Sequence, residues 1–125
     1  MKIINEQLVT DVYGKWPSFH DAEIHEILLR RNIDKANFPE LILTIDDYGI
    51  EKELVVEIGF ENINHLQIQD FNNQNAIFSL DIQCKHSKTT PNYEVDISSS
   101  YGAALMFTCE RIIVHSITPF KKDSR

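Results

Sequence analysis

Residues 41–60 read LILTIDDYGIEKELVVEIGF, and they determine what kind of fold this chain can form. Apolar side chains occupy every second position in 41–45 and again in 54–60, which is the period of a β-strand with one buried face. The segment Asp46-Asp47-Tyr48-Gly49 lies between the two runs and is typical of a turn. The segment therefore predicts an antiparallel β-hairpin.

Similar alternating runs lie on both sides of this hairpin, at 22–29, 78–84, 93–97 and 104–119, and a weaker strand is predicted at 63–68. Polar turn segments separate them, and no run alternates with a long helical segment, so a parallel α/β sheet is disfavoured. The alternation slips phase once between Ile24 and Leu29, which a β-bulge would explain, and once at Glu110-Arg111. We therefore predict one mostly-β domain over 1–125, an antiparallel sandwich or open barrel of about seven strands.

A short helix is predicted before the first strand. Ile4, Leu8 and Val12 recur at helical spacing, Asn5 is a plausible N-cap, and Gly14 can end the helix. A helix this short persists only when it packs on the rest of the fold.

The chain is acidic, with 19 acidic against 12 basic residues and a formal net charge of −7. An acidic surface repels phosphate backbones, so nucleic acid is not expected as a partner, whereas a basic protein or a cationic ligand is favoured. Solubility alone also explains such a charge. No apolar run is long enough to span a membrane, and the first residues do not resemble a signal peptide, so we expect a cytoplasmic protein without membrane contact. Cys84 and Cys109 form no CxxC pair and are expected as small hydrophobic residues.

One short segment concentrates residues that could carry chemistry. His20, Asp21, Glu23 and His25 lie within six positions, and a strand would place Asp21, Glu23 and His25 on one face. Such a group could hold a metal ion or act as an acid/base pair, which is the enzyme hypothesis for this chain.

The same segment also has a structural interpretation. Trp16 and Phe19 would close one end of the core, Pro17 would set the backbone before it, and His20 would bond to backbone groups at the turn. Since a metal centre normally requires about three ligands in a defined geometry, we favour the structural interpretation and expect no metal, no cofactor and no catalysis.

The hairpin carries a second candidate site, which we call the hairpin patch. Carboxylates flanking an aromatic ring suit recognition of a basic surface, because charge steers the encounter and the ring anchors it. A solvated hairpin end is the alternative interpretation. The patch consists of Asp46, Asp47, Tyr48, Glu51, Glu53 and Glu57.

The stretch Trp16-Pro17-Ser18-Phe19-His20-Asp21-Ala22-Glu23, preceded by Tyr13-Gly14, resembles the immunity protein 50 family of bacterial polymorphic toxin systems. The region 60–66, the turn Asp70-Phe71-Asn72 and the final strand containing Cys109 fit the same family, so the resemblance covers nearly the whole chain. We call residues 16–23 the motif segment.

The resemblance implies a small cytosolic protein, encoded beside a toxin gene, that binds the cognate toxin domain and neutralises it. We expect the mechanism to be occlusion of the toxin's active site or substrate surface. It implies no enzymatic activity and transfers no binding residues. Two other hypotheses remain beside it: the enzyme described above, with its site at His20, Asp21, Glu23 and His25, and a β domain that binds a small ligand. An acidic immunity protein would suit a basic toxin domain, such as one that acts on nucleic acid.

Overall fold

A computed structural model describes residues 2–31, 39–48, 53–86 and 91–119. Gly49 and Glu51 of the hairpin lie outside this described part. The fold is mostly β with one short helix, and its elements are α1 (Gln7–Tyr13), β1 (Glu23–Arg31), β2 (Pro39–Asp47), β3 (Leu54–Glu61), β4 (Asn64–Gln69), β5 (Ala76–His86), β6 (Pro91–Tyr101), β7 (Ala104–Cys109) and β8 (Arg111–Pro119).

The strands form one open antiparallel sheet in the order β4-β7-β6-β5-β1-β2-β3-β8. Neighbouring strands pair over most of their length except at the junction of β5 with β1, where the ladder contains only Glu23 opposite Ala76. This narrow junction divides the sheet into two halves. The first half is β1-β2-β3-β8, and the second half is β5-β6-β7-β4.

The two halves bend toward each other and enclose the core. The rings of Phe60 on β3 and Phe107 on β7 meet edge to face with centroids 5.0 Å apart, although their strands are far apart in the sheet order. The N-terminal segment also crosses between the halves. Ile4 forms a parallel bridge with Ile113 on β8, and the backbone of Lys2 bonds to the Tyr93 hydroxyl on β6. The predicted antiparallel β architecture is confirmed.

The strand number is eight, one more than predicted. The sequence pattern predicts a single strand with one phase slip over 104–119. In the structure this region forms two strands that meet at Glu110. β7 pairs with β6 and β4 in the second half, whereas β8 pairs with β3 in the first half. The slip at Glu110-Arg111 is therefore the point at which the chain passes from one half of the sheet to the other.

The slip predicted in the first run is a β-bulge. The register of β1 against β2 shifts between Ile24 and Glu26, which leaves His25 as the extra residue. Beyond the bulge, Ile27 and Leu29 face the inner side, while Glu26, Leu28 and Arg30 share the outer face with the even-numbered residues of β2.

The helix is present, and Gly14 ends it as predicted, with φ of 81° and its N–H bonded to the Thr10 carbonyl. The predicted packing face is wrong, because Val9 is buried while Leu8 and Val12 are exposed. Asn5 is not the N-cap either. Its backbone has a positive φ of 62°, and its side chain reaches the Val114 carbonyl at 3.4 Å. Docking on β8 therefore sets the helix orientation. No helix in the described ranges is long and apolar enough to cross a membrane.

Candidate functional site

The motif segment connects α1 to β1, and Phe19 is its structural centre. The Phe19 side chain is buried, and the rings of Tyr13 and Trp16 meet it edge to face at centroid distances of 5.8 and 5.9 Å. Its backbone has φ of 58°, a left-handed conformation that a bulky residue adopts only when its surroundings require it. The chain accepts this strain because the turn directs Phe19 into the core.

His20 and Asp21 are exposed, and His20 contacts both β5 and its neighbour Asp21. The His20 Nδ1 lies 2.8 Å from the Phe78 carbonyl oxygen, and its ring contacts the Phe78 ring at 5.4 Å. The Asp21 carboxylate lies 3.5 Å from the His20 Nε2. The backbone of Asp21 has a positive φ of 69°. Aspartate tolerates this conformation better than most residues, which gives Asp21 a backbone role. His20 ties the segment to β5.

Glu23 belongs to a corner of the fold that the sequence predicted only as a turn. The buried Asn75 side chain accepts N–H bonds from Asn72 and Ala103, both at 2.9 Å, and donates to the Asn72 carbonyl at 2.8 Å. The Glu23 carboxylate accepts the Asn75 backbone N–H at 3.4 Å. Gly102, with φ of 84°, lies against this corner, where a Cβ atom would come within 2.6 Å of the Asn75 Oδ1. Asn75 is thus a structural residue whose only sequence signal was its place in an Asn-rich turn.

The four side chains of the enzyme hypothesis do not converge. His20 and Asp21 stay at the surface turn, Glu23 contacts Asn75, and the His25 ring lies 3.5 Å from the Asp46 carboxylate. Within the residues that the structure describes, no group of three histidine, cysteine or carboxylate side chains could hold a metal ion.

The motif segment lines a cleft of about 420 Å³ that also reaches β2. The indole N–H of Trp16 is buried beside this cleft and has no hydrogen-bond acceptor. The cleft is lined by Tyr13, Lys15, Trp16, Pro17, Ser18, Phe19, His20 and Asp47. The motif segment and the hairpin patch, which the sequence treated as separate, are therefore neighbours.

Asp47 is the residue that joins them. Its carboxylate accepts a 2.6 Å hydrogen bond from the Tyr13 hydroxyl, and the residue is buried. Burial, followed by the hydrogen bond and the negative charge of Asp47, raises the pKa of Tyr13 far above its usual value. Tyr13 therefore stays protonated, and its hydrogen bond to Asp47 holds the end of β2 against α1.

The rest of the hairpin patch divides between buried and exposed positions. Asp46 is buried beside His25, whereas Tyr48 is 55% exposed. Partial desolvation, and then the carboxylates of Asp46, Glu53 and Glu23, raise the pKa of Tyr48. Glu57 lies on β3 opposite Thr44. Glu51 lies outside the described part of the chain.

Strand register extends this acidic surface across the sheet. Glu23 lies opposite Asp46, and Glu26 and Glu57 lie on either side of Thr44, all on the outer face of the first half. Within the described residues, the only ion pair that these four carboxylates make is the one between Asp46 and His25. Farther along the same face the charges are balanced. Arg30 pairs with Glu40 at 3.0 Å, and Arg111 pairs with Glu61 at 3.3 Å.

These features define an antiparallel β protein whose hairpin end presents carboxylates around an exposed aromatic ring. A family model described as immunity protein 50 matches residues 5–120, so the chain belongs to the immunity protein 50 family. No curated protein and no solved structure matches the chain. The resemblance drawn from the motif segment is confirmed.

Proposed function

We propose that this protein neutralises a cognate bacterial toxin domain by binding it stoichiometrically and occluding its active site or substrate surface. Membership of the immunity protein 50 family across residues 5–120 carries the proposal. The exposed Tyr48 ring, set among the carboxylates of the hairpin end, supports it as a recognition surface.

The contact surface of the proposal is the hairpin patch. Tyr48 provides the aromatic anchor, Glu53 and Glu57 provide charge beside it, and Glu51 belongs to the patch by its place in the sequence. Asp46 and Asp47 contribute differently because both are buried. They fix the position of the anchor through His25 and Tyr13, and Asp46 adds negative charge beneath it.

The partner of the proposal is a basic protein surface. The net charge of −7 and the set of carboxylates on the outer face would attract such a surface over the distance that physiological salt allows, roughly 8 Å. Charge of this kind mainly raises the association rate, while the buried centre of the interface sets the dissociation rate.

The mechanism requires a rigid surface rather than a chemical step. Tyr48 directly follows β2, a strand buried on both faces and paired along its length on both sides. A preordered surface loses less conformational entropy on binding, which favours tight complexes. The protein would act in the compartment that the toxin reaches in the producing cell, and we propose that this is the cytoplasm.

The test is a growth-rescue assay with the toxin domain encoded next to this chain. Co-expression of the chain should relieve growth arrest, and the double variant Glu53→Lys/Glu57→Lys should relieve it poorly. The matched control is Asp81→Lys/Asp96→Lys, which makes the same charge change at two exposed positions on β5 and β6 of the second half. Equal loss of rescue by both pairs would contradict the hairpin patch as the contact surface. Failure of the unmodified chain to rescue would contradict the function.

A further inference from the structure

Among the residues that the structure describes, β1 has one backbone edge that is unpaired over 26–31. Its other edge pairs with β2 from Glu23 to Arg31, but on the β5 side the ladder ends after Glu23 and Ala76. In the described part of the chain, no strand pairs with the β5 side of residues 26–31. Unpaired N–H and C=O groups along a strand edge are a template for another strand.

The side chains along this free edge are exposed on both faces. Leu28 on the outer face is 42% exposed, and Leu29 on the inner face is 48% exposed. Two consecutive apolar residues rarely remain accessible on opposite faces of a paired strand, because one face normally packs on the core. An added strand beside β1 would cover both.

The sequence of the edge is complementary to itself when it runs antiparallel. Glu26-Ile27-Leu28-Leu29-Arg30, paired about a twofold axis at Leu28, places Glu26 opposite Arg30 of the second copy and Ile27 opposite Leu29 of the second copy. Leu28 faces its own equivalent. Each cross-strand pair thus joins opposite charges or two apolar side chains, which are the favourable combinations in antiparallel sheets.

The faces of the sheet agree with this pairing. Glu26, Leu28 and Arg30 share the outer face because they lie opposite Thr44, Ile42 and Glu40 of β2. A twofold axis perpendicular to a sheet keeps the outer face outside, so the charged pairs and the Leu28 pair would lie together on one surface. Arg30, already 3.0 Å from Glu40, would then lie between two carboxylates.

We propose that the free edge of β1 pairs with the same edge of a second copy of this chain, forming a twofold dimer with one continuous sheet through both first halves. The ladder is limited to residues 26–30, since the His25 bulge and the β5 junction bound it at one end and β1 itself ends at Arg31. So short an interface predicts a reversible dimer whose population rises with protein concentration. The proposal does not depend on toxin binding.

The test is sedimentation equilibrium of the full chain at concentrations from about 1 µM to about 1 mM, which spans weak association. The unmodified chain should pass from monomer to dimer. Leu28→Lys, which puts two like charges opposite each other on the twofold axis, should weaken the dimer at least about tenfold. Met106→Lys, at an exposed apolar position on β7, is the matched control and should leave the dimer unchanged.

A charge-swap experiment tests the register. Glu26→Arg alone and Arg30→Glu alone each place like charges opposite each other and should be monomeric. An equimolar mixture should form a heterodimer, because the arginine introduced at position 26 then meets the glutamate introduced at position 30, and Arg30 meets Glu26. Circular dichroism verifies that each variant is folded.

Three outcomes of the association experiments would overturn the proposal. They are a monomeric unmodified chain over the whole range, a dimer that Leu28→Lys does not weaken, and a mixture that associates no better than its components. Protection of the β1 amides from hydrogen exchange only after a toxin domain is added would instead assign the edge to that partner and would also reject the dimer.

Discussion

Phe19 and Trp16 contribute unequally to the motif segment. Phe19 is buried and receives the edges of the Tyr13 and Trp16 rings, whereas Trp16 is half-buried at the border of the core. The sequence identified both as residues that close the core, since aromatic side chains beside a proline turn favour burial. The sequence does not indicate which of the two contributes more to stability, because that depends on the left-handed backbone at Phe19.

Phe19→Ala should lower the free energy of unfolding by about 3–5 kcal/mol, because it leaves a cavity that the strained turn cannot close. Trp16→Ala should cost about 2 kcal/mol, since Trp16 is only partly buried and its indole N–H has no acceptor to lose. Urea denaturation followed by circular dichroism measures both. A larger loss for Trp16→Ala than for Phe19→Ala would contradict this ranking.

Asp21 provides a test of the backbone interpretation of the motif. Asp21→Gly should change the free energy of unfolding by less than about 1 kcal/mol, because glycine adopts the positive φ freely. Asp21→Val should cost about 1–3 kcal/mol, because a β-branched residue is strained there.

The control position for Asp21 is Glu26, which is exposed within β1. Glycine weakens a strand and valine favours it, so the order should reverse at this position. The same order at both positions would contradict the backbone role of Asp21.

Cys109 should be chemically inert in the folded protein. Burial raises the pKa of its thiol to about 12, so the reactive thiolate is nearly absent at neutral pH. Since the folded state favours the protonated thiol, this contribution to stability is complete below the usual thiol pKa and declines as pH rises above it. At pH 8, iodoacetamide should modify the partly exposed Cys84 first and Cys109 only after unfolding. Mass spectrometry of native and denatured samples distinguishes the two sites, and rapid native modification of Cys109 would contradict its burial.

At the scale of elements, alternation of apolar residues predicted every strand segment, because the period of a half-buried strand is visible in sequence. It did not predict that 104–119 forms two strands. Apolar residues alternate in both β7 and β8, so the sequence pattern does not show that the two strands belong to different halves of the sheet. Helical spacing was less informative. It selected Leu8 and Val12, whereas docking on β8 buries Val9.

The corner around Asn75 is the element-scale feature with the largest predicted effect. Asn75→Ala should lower the free energy of unfolding by about 3 kcal/mol, because the backbone groups of Asn72 and Ala103 lose their buried partner. Asn72→Ala is the matched control. Its side chain bonds only the Asp70 carbonyl in the described structure and is exposed, so the cost should stay below about 1 kcal/mol. Thermal unfolding compares them, and equal losses would contradict the role of the Asn75 side chain.

At the scale of the whole molecule, the sequence predicted the architecture and the family but not the arrangement of the candidate site. The hairpin patch was identified from local charge and one aromatic residue. Burial of Asp46 and Asp47 followed from long-range contacts with His25 and Tyr13, which no local pattern reveals. The link between Asp47 and the motif segment has the same origin, because it depends on how α1 docks.

The net charge predicts how the protein should respond to salt. If the hairpin patch meets a basic partner, raising the ionic strength should slow association while changing dissociation little. Surface plasmon resonance at several salt concentrations measures both rates. An association rate that is independent of salt would show that the partner surface is not basic.

Stoichiometric binding through the hairpin patch is tested most directly by titration calorimetry against the purified cognate toxin domain. We expect a one-to-one complex in which Tyr48→Ala weakens binding by about 2 kcal/mol, roughly thirtyfold. Phe78→Ala, at an equally exposed aromatic on the second half, should leave binding unchanged. Absence of a complex would contradict the function, and a complex unaffected by Tyr48→Ala would contradict the surface.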